Sequence, residues 1–186
     1  MAKKRLHLDK QVHFPPFKYG DRCYDLSHLD AHKVEFLHNN DPKKDPIRYT
    51  FNVSYSFHCF AKDFPSLDET QRHTLMYHTQ KESRPFCFRR YHLSKTLPNI
   101  MSNLDTSKLV FHGGYESYAT CTVEDEKGDK VEYFVSFEAY RWQKRLRLHV
   151  KSAYPLDQPL GKVKKVNIFA IARALLQNKP LPKPQK

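Results

Sequence analysis

The sequence lacks paired cysteines, long apolar runs and acidic residues in number, and each shortage excludes something. Its four cysteines, Cys23, Cys59, Cys87 and Cys121, stand far apart with no C-x-x-C spacing. A clustered zinc site or a dithiol redox motif is therefore not expected. Each cysteine has aromatic or aliphatic neighbours, as in Phe86-Cys87-Phe88, and such thiols read as small buried side chains in a reducing compartment. No apolar stretch approaches the roughly 18 residues that read as a membrane span. The basic start, Met1-Ala2-Lys3-Lys4-Arg5, leads into Leu6-His7-Leu8-Asp9-Lys10 rather than into the apolar core of a signal peptide. The expected location is the cytoplasm, with no membrane partner.

Catalytic signatures are missing too. There is no H-E-x-x-H, no clustered carboxylate pattern, no G-x-S-x-G and no phosphate loop. Gly113-Gly114 falls between a helical and a strand-like segment, the wrong order for a dinucleotide fingerprint. Neither a metal nor another cofactor is expected.

What the chain does have is positive charge. Lysine and arginine number 32 against 20 acids, a formal net charge of +12 before any of the 11 histidines is protonated. Such an excess calls for an anionic partner. Nucleic acid is the first reading, an acidic protein the second, and an anionic membrane or a merely solubilising surface the remaining ones.

At 186 residues, with 39% apolar and 13% aromatic content, the chain has material for one core. Residues 1–178 read as a single α+β domain, opening with an extended arm over 1–23. The prolines of Phe14-Pro15-Pro16-Phe17 stiffen that arm and its aromatics clamp it to the body. Residues 25–38 read at most as helix-like, 62–85 as a long loop with a turn of helix, and the proline- and lysine-rich 179–186 as a mobile tail.

Alternation from Tyr49 to Phe60 predicts a half-buried strand with Thr50, Asn52, Ser54, Ser56 and His58 on its polar face. Leu93, Leu97, Ile100, Met101 and Leu104 form one apolar stripe, predicting a helix over 90–105 that Pro98 bends or starts. Strands over 115–123, 131–139 and 145–154 make an antiparallel meander, and a helix over 166–177 closes the fold. The earlier strand joins the same antiparallel sheet.

In the last strand, alternation sets Leu146, Leu148, Val150, Ser152 and Tyr154 against Arg145, Arg147, His149 and Lys151. Side chains two apart on a strand are roughly 7 Å apart, close to the phosphate repeat of an extended single strand. A second basic cluster, Arg84, Arg89, Arg90, His92 and Lys95, is interleaved with Phe86, Phe88 and Tyr91, a composition suited to stacking and phosphate contact. A third, Lys162, Lys164 and Lys165, precedes the last helix, where cations oppose the helix dipole.

His58 and His149 are the candidate catalytic pair. Metal-independent RNA cleavage needs a base for the 2′-hydroxyl, an acid for the leaving oxygen and a cation for the phosphorane. Histidine with arginine or lysine supplies all three.

Three segments carry a resemblance: Phe17-Lys18-Tyr19-Gly20-Asp21-Arg22-Cys23-Tyr24-Asp25-Leu26-Ser27-His28-Leu29, Tyr91-His92-Leu93-Ser94-Lys95-Thr96-Leu97-Pro98 and Val150-Lys151-Ser152-Ala153-Tyr154. Across most of its length the chain resembles a proteobacterial family labelled stationary phase growth adaptation protein or heat shock protein C. A looser likeness, in the order of elements and the basic last strand, is to the metal-independent ribonucleases grouped with barnase, the tRNA-cleaving colicins and RelE-type toxins. These likenesses imply a bacterial or mobile-element origin. The expectation is an RNA-directed protein, with metal-independent cleavage as its enzymatic form. A non-catalytic RNA- or DNA-binding regulator and an interaction protein for an acidic partner, antitoxin-like or stress-related, stand as alternatives.

Overall fold

The computed structural model describes residues 13–39, 41–105, 110–112, 117–158 and 165–182. Ten strands and four helices follow one another along them. A small hairpin comes first, β1 (Phe17–Tyr19) and β2 (Arg22–Tyr24), closed by Gly20-Asp21, with Gly20 at φ 56°. That left-handed backbone is open to glycine at no steric cost. A 3-10 turn at Ser27–Leu29 leads to β3 (His32–His38), and β4 (Ile47–Tyr55) returns antiparallel to it. A second 3-10 turn, Phe57–Cys59, ends β4.

Next come α1 (Glu69–Leu75), the hairpin β5 (Met76–His78) and β6 (Ser83–Pro85), α2 (Phe88–Ser94) and α3 (Leu97–Ser102). A reciprocal cap holds α1, the Asp68 carboxylate accepting from the Gln71 amide at 2.7 Å while the Gln71 side chain accepts from the Asp68 amide. The remaining elements are β7 (Val110–His112), β8 (Ser117–Glu124), β9 (Lys130–Trp142), β10 (Arg145–Pro155) and α4 (Ile168–Leu176), the last capped by the Asn167 side chain.

The main sheet has six strands in the order β3-β4-β10-β9-β8-β7. The α+β class is as expected, but a fully antiparallel sheet is not found, because β4 runs parallel to β10. The chain leaves β4 through the 3-10 turn, three helices and five further strands before β10 docks beside it, so it has length enough to arrive in either direction. The predicted 90–105 helix is two helices. Ser94 and Thr96 donate their hydroxyls to the Tyr91 and Leu93 carbonyls at the end of α2, and Pro98 sits in the first turn of α3. The 49–60 strand stops at Tyr55, and residues 32–38 of the helix-like segment form a strand.

One face of the sheet carries the core. Val34, Phe36, Phe51, Val53, Tyr55, Leu146, Leu148, Val150, Tyr133, Val135 and Phe137 are buried there, joined by Leu93, Leu97 and Met101 from α2 and α3 and Ile168, Ile171 and Ala172 from α4. The arm is anchored as its aromatics suggested, with Phe14 edge-on to Phe60 and Phe17 stacked on Phe86 at 4.2 Å. Tyr77 Oη donates to the Pro15 carbonyl. Residues 1–12 and 183–186 lie outside the described residues. Cys59 and Cys87 are buried as read, whereas Cys23 is exposed on its short hairpin.

The β9–β10 pairing contains a bulge at Lys151, since Val150 pairs with Phe137 and Ser152 with Ser136. One extra residue reverses the facing of everything after it. Ala153, not Ser152, is therefore buried beyond the bulge, and Tyr154 meets the Phe134 ring at 5.2 Å. The predicted apolar face of the last strand holds only through Val150.

Candidate nucleic-acid interface

The second face of the sheet is polar at its centre. From β4 come Thr50, Asn52 and Ser54, and from β10 come Arg147 and His149, each partly exposed. The parallel register sets Arg147 opposite Asn52 and His149 opposite Ser54. Among the described residues the helices contribute their buried side chains to the other face. Arg145 is exposed at the start of β10, and Lys151 stands 3.6 Å from Glu138, both side chains well over a third exposed. The basic row is thus present on one face, half-buried along its middle, with Lys151 beside the Glu138 carboxylate.

His149 Nδ1 shares a hydrogen bond with Ser54 Oγ at 3.0 Å. Burial pushes the imidazole down to about 4, and Lys151 and His58 add to the shift. His149 is therefore neutral at physiological pH. The backbone brings the His58 turn toward the same end of the sheet. The link is local: the Ser56 amide donates to the Val150 carbonyl, tying the end of β4 to β10, and His58 follows in the 3-10 turn.

His58 Nε2 lies 3.4 Å from Glu82 Oε1 on the β5–β6 hairpin. Burial lowers its pKa, Glu82 opposes that shift, and Arg84 and Arg90 reinforce it. Glu82 and Asp63 both hold Arg84, with Asp63 at 2.9 Å. Arg90 has a structural task, donating to the His58 and Ala61 carbonyls at 2.9 and 3.1 Å while lying over the Tyr154 ring. It fixes the turn that presents His58.

The remaining members of the second cluster point elsewhere. Arg89 is half exposed, 4.0 Å from Asp125 on the β8–β9 turn. Lys95 is exposed over the Tyr91 ring at 4.9 Å. Of the third cluster, Lys165 is exposed just before the Asn167 cap, and Lys162 and Lys164 lie outside the described residues.

Sequence reading overlooked Glu82 and Asp63, which no motif marks. It also overlooked His28-x-x-x-His32, a spacing that can signal metal ligands on a helix. Here His28 sits in a 3-10 turn bonded to Ser94 Oγ at 2.8 Å, while His32 opens β3 and bonds the Asp30 carbonyl. Among the described residues no three His, Cys, Asp or Glu side chains are placed to share a metal ion.

The chain matches a known family. A family model described as the YjaZ family matches residues 16–176, from the start of β1 to the end of α4. The chain belongs to the YjaZ family. It is 47% identical over 173 residues to protein YjaZ of Escherichia coli strain K12, covering 92% of this chain and 95% of that relative. No solved structure matches. The family match takes in both histidines, the whole basic strand and the α2 cluster. Among the described residues no helix is long and apolar enough to cross a membrane.

Proposed function

We propose that the protein binds RNA across the second face of its sheet and that the histidine end of that face cleaves it without a metal. The observation that carries this reading is the pairing of His149 with Ser54 within the Arg145, Arg147, Lys151 row, with the His58 turn following where Ser56 joins Val150. Phosphates would lie along the row, and Asn52 and Ser54 offer neutral hydrogen-bonding groups beside it.

Burial lowers the pKa of both imidazoles, and the neighbour of each assigns the roles. His149, held neutral by burial, is the base that takes the 2′-hydroxyl proton. His58, whose charge Glu82 favours, is the acid that protonates the departing 5′-oxygen. The 2′-oxygen attacks phosphorus and the P–O5′ bond breaks, leaving a 2′,3′-cyclic phosphate. Lys151 is the cation next to His149 and would stabilise the phosphorane. A role in stationary phase or heat shock is the setting that the sequence resemblance suggests.

The test is incubation of the pure protein with total bacterial RNA in EDTA, followed on a denaturing gel beside His58→Ala and His149→Ala. Fragments from the native protein alone, ending in cyclic phosphate, support the reading. Intact RNA with retardation that fades as salt rises leaves a non-catalytic RNA- or DNA-binding regulator. Intact RNA and no retardation leaves an interaction protein with an acidic partner.

A further inference from the structure

A cleft of about 460 Å³ opens between the β1–β2 hairpin and α2. That size falls within the roughly 300–1,000 Å³ of pockets that hold small organic ligands. Its walls are aromatic. Tyr19 meets Phe88 edge-on at 5.3 Å, and Tyr24 meets Phe88 and Tyr91 at 5.1 and 5.4 Å. Tyr19 is 42% exposed, so part of its ring is open to a ligand. The two-residue Gly20-Asp21 turn sets Tyr19 and Arg22 opposite each other at the mouth.

The charges at the rim decide the class of ligand. Arg22 and Lys95 line the cleft, with Lys95 stacked over Tyr91, while Glu126 from the β8–β9 turn is the acid in the lining. An aromatic cage for a quaternary ammonium would want the reverse balance, because two fixed cations repel such a ligand. Rings with cations at one rim suit a planar group carrying an anion, which is a nucleotide. A carboxylate accepts hydrogen bonds and donates none at neutral pH. Guanine presents two adjacent donors, N1–H and N2–H, to such a group, whereas adenine, cytosine and uracil each present at most one donor beside an acceptor.

We propose that this cleft is a nucleotide pocket that stacks an unpaired guanine among Tyr19, Tyr24, Phe88 and Tyr91, reads its edge with Glu126 and holds its phosphate with Arg22 and Lys95. The ligand class rests on the RNA-directed reading, but the pocket is separate from the histidine end and uses none of its residues. A guanine bound here would place the RNA in a preferred register.

Saturation-transfer NMR and equilibrium dialysis with GMP, AMP, CMP, UMP, guanosine and inorganic phosphate test it on the full chain. GMP should bind roughly tenfold more tightly than the other mononucleotides and than guanosine. Glu126→Gln should remove most of the base preference, Tyr19→Ala should weaken GMP roughly tenfold, and Lys95→Ala should bring GMP close to guanosine. Tyr19 and Lys95 are both exposed, so these variants should fold; matching amide spectra check that. Equal binding of all four nucleotides, binding that inorganic phosphate reproduces, or no saturable GMP binding would each overturn the proposal. GMP binding without RNA cleavage or retardation keeps the pocket and removes the RNA-directed reading; RNA binding indifferent to these variants does the opposite.

Discussion

Ser54 Oγ and His149 Nδ1 meet at 3.0 Å across the parallel pairing of β4 and β10. That contact depends on a strand direction that the sequence does not announce. An antiparallel neighbour in the same place would have put another residue opposite His149, and the two histidines would not have shared an end of the sheet.

The buried, neutral His149 makes stability depend on pH. Its folded pKa of about 4 lies below the ordinary value of 6.5, so the unfolded chain takes up a proton first as pH falls. Nothing is lost above the unfolded value; stability then declines between about pH 6.5 and 4, by on the order of 3 kcal/mol for this group. Urea unfolding of the native chain and His149→Gln at pH 7.5, 6 and 5 should show the gap between them narrowing as pH falls. Parallel pH dependences would mean that His149 titrates normally.

Arg90 and Arg89 are neighbours with opposite tasks. Arg90→Ala leaves two main-chain carbonyls without their donor and should cost roughly 2–4 kcal/mol. Arg89→Ala removes a half-exposed side chain and should stay within about 0.5 kcal/mol. Chemical denaturation separates the two, and equal losses would show that Arg90 does not hold the His58 turn.

The β9–β10 turn is a place where stability can be gained. Gln143 and Lys144 both adopt left-handed backbone, φ 48° and 63°, in a two-residue loop between Trp142 and Arg145. Such turns favour Asn-Gly, so Gln143→Asn with Lys144→Gly should stabilise by about 1–2 kcal/mol. A lower Tm for the double variant would contradict this conformation.

Cleavage and binding should separate by residue. Arg145→Glu should weaken RNA roughly tenfold and reduce the salt slope by about one. His149→Ala should abolish cleavage while leaving affinity within about threefold. Fluorescence anisotropy with labelled RNA reads the first and a gel the second. Joint loss of both in His149→Ala, with the fold intact, would make His149 a binding residue only.

Much of this was legible in the chain. Strict alternation through Tyr49–Tyr55 and Arg145–Val150 marked the two central strands and their polar faces, and with them His149 and the basic row. The anchoring of the arm followed from Phe14 and Phe17. What escaped depends on tertiary partners. Val34 and Phe36 alternate with Lys33 and Glu35, yet so short a run becomes a strand only because β4 lies beside it. The Lys151 bulge reverses Ser152 and Tyr154 without any glycine or proline to signal it. Glu82 reaches His58 from a hairpin that the polar 62–85 segment concealed. The Tyr19 to Arg22 turn did carry a hairpin signal, Gly-Asp between alternating residues, and the cleft follows from where that hairpin docks.

The most direct measurement is amide chemical-shift mapping of the labelled protein titrated with a short oligouridine, which lacks the guanine edge that the cleft is proposed to read. Perturbations clustered on Asn52, Ser54, Arg145, Arg147, His149 and Lys151, fading as salt rises, are the predicted result. Perturbations confined to other surfaces, or none at millimolar oligouridine, would contradict RNA binding across the second face of the sheet.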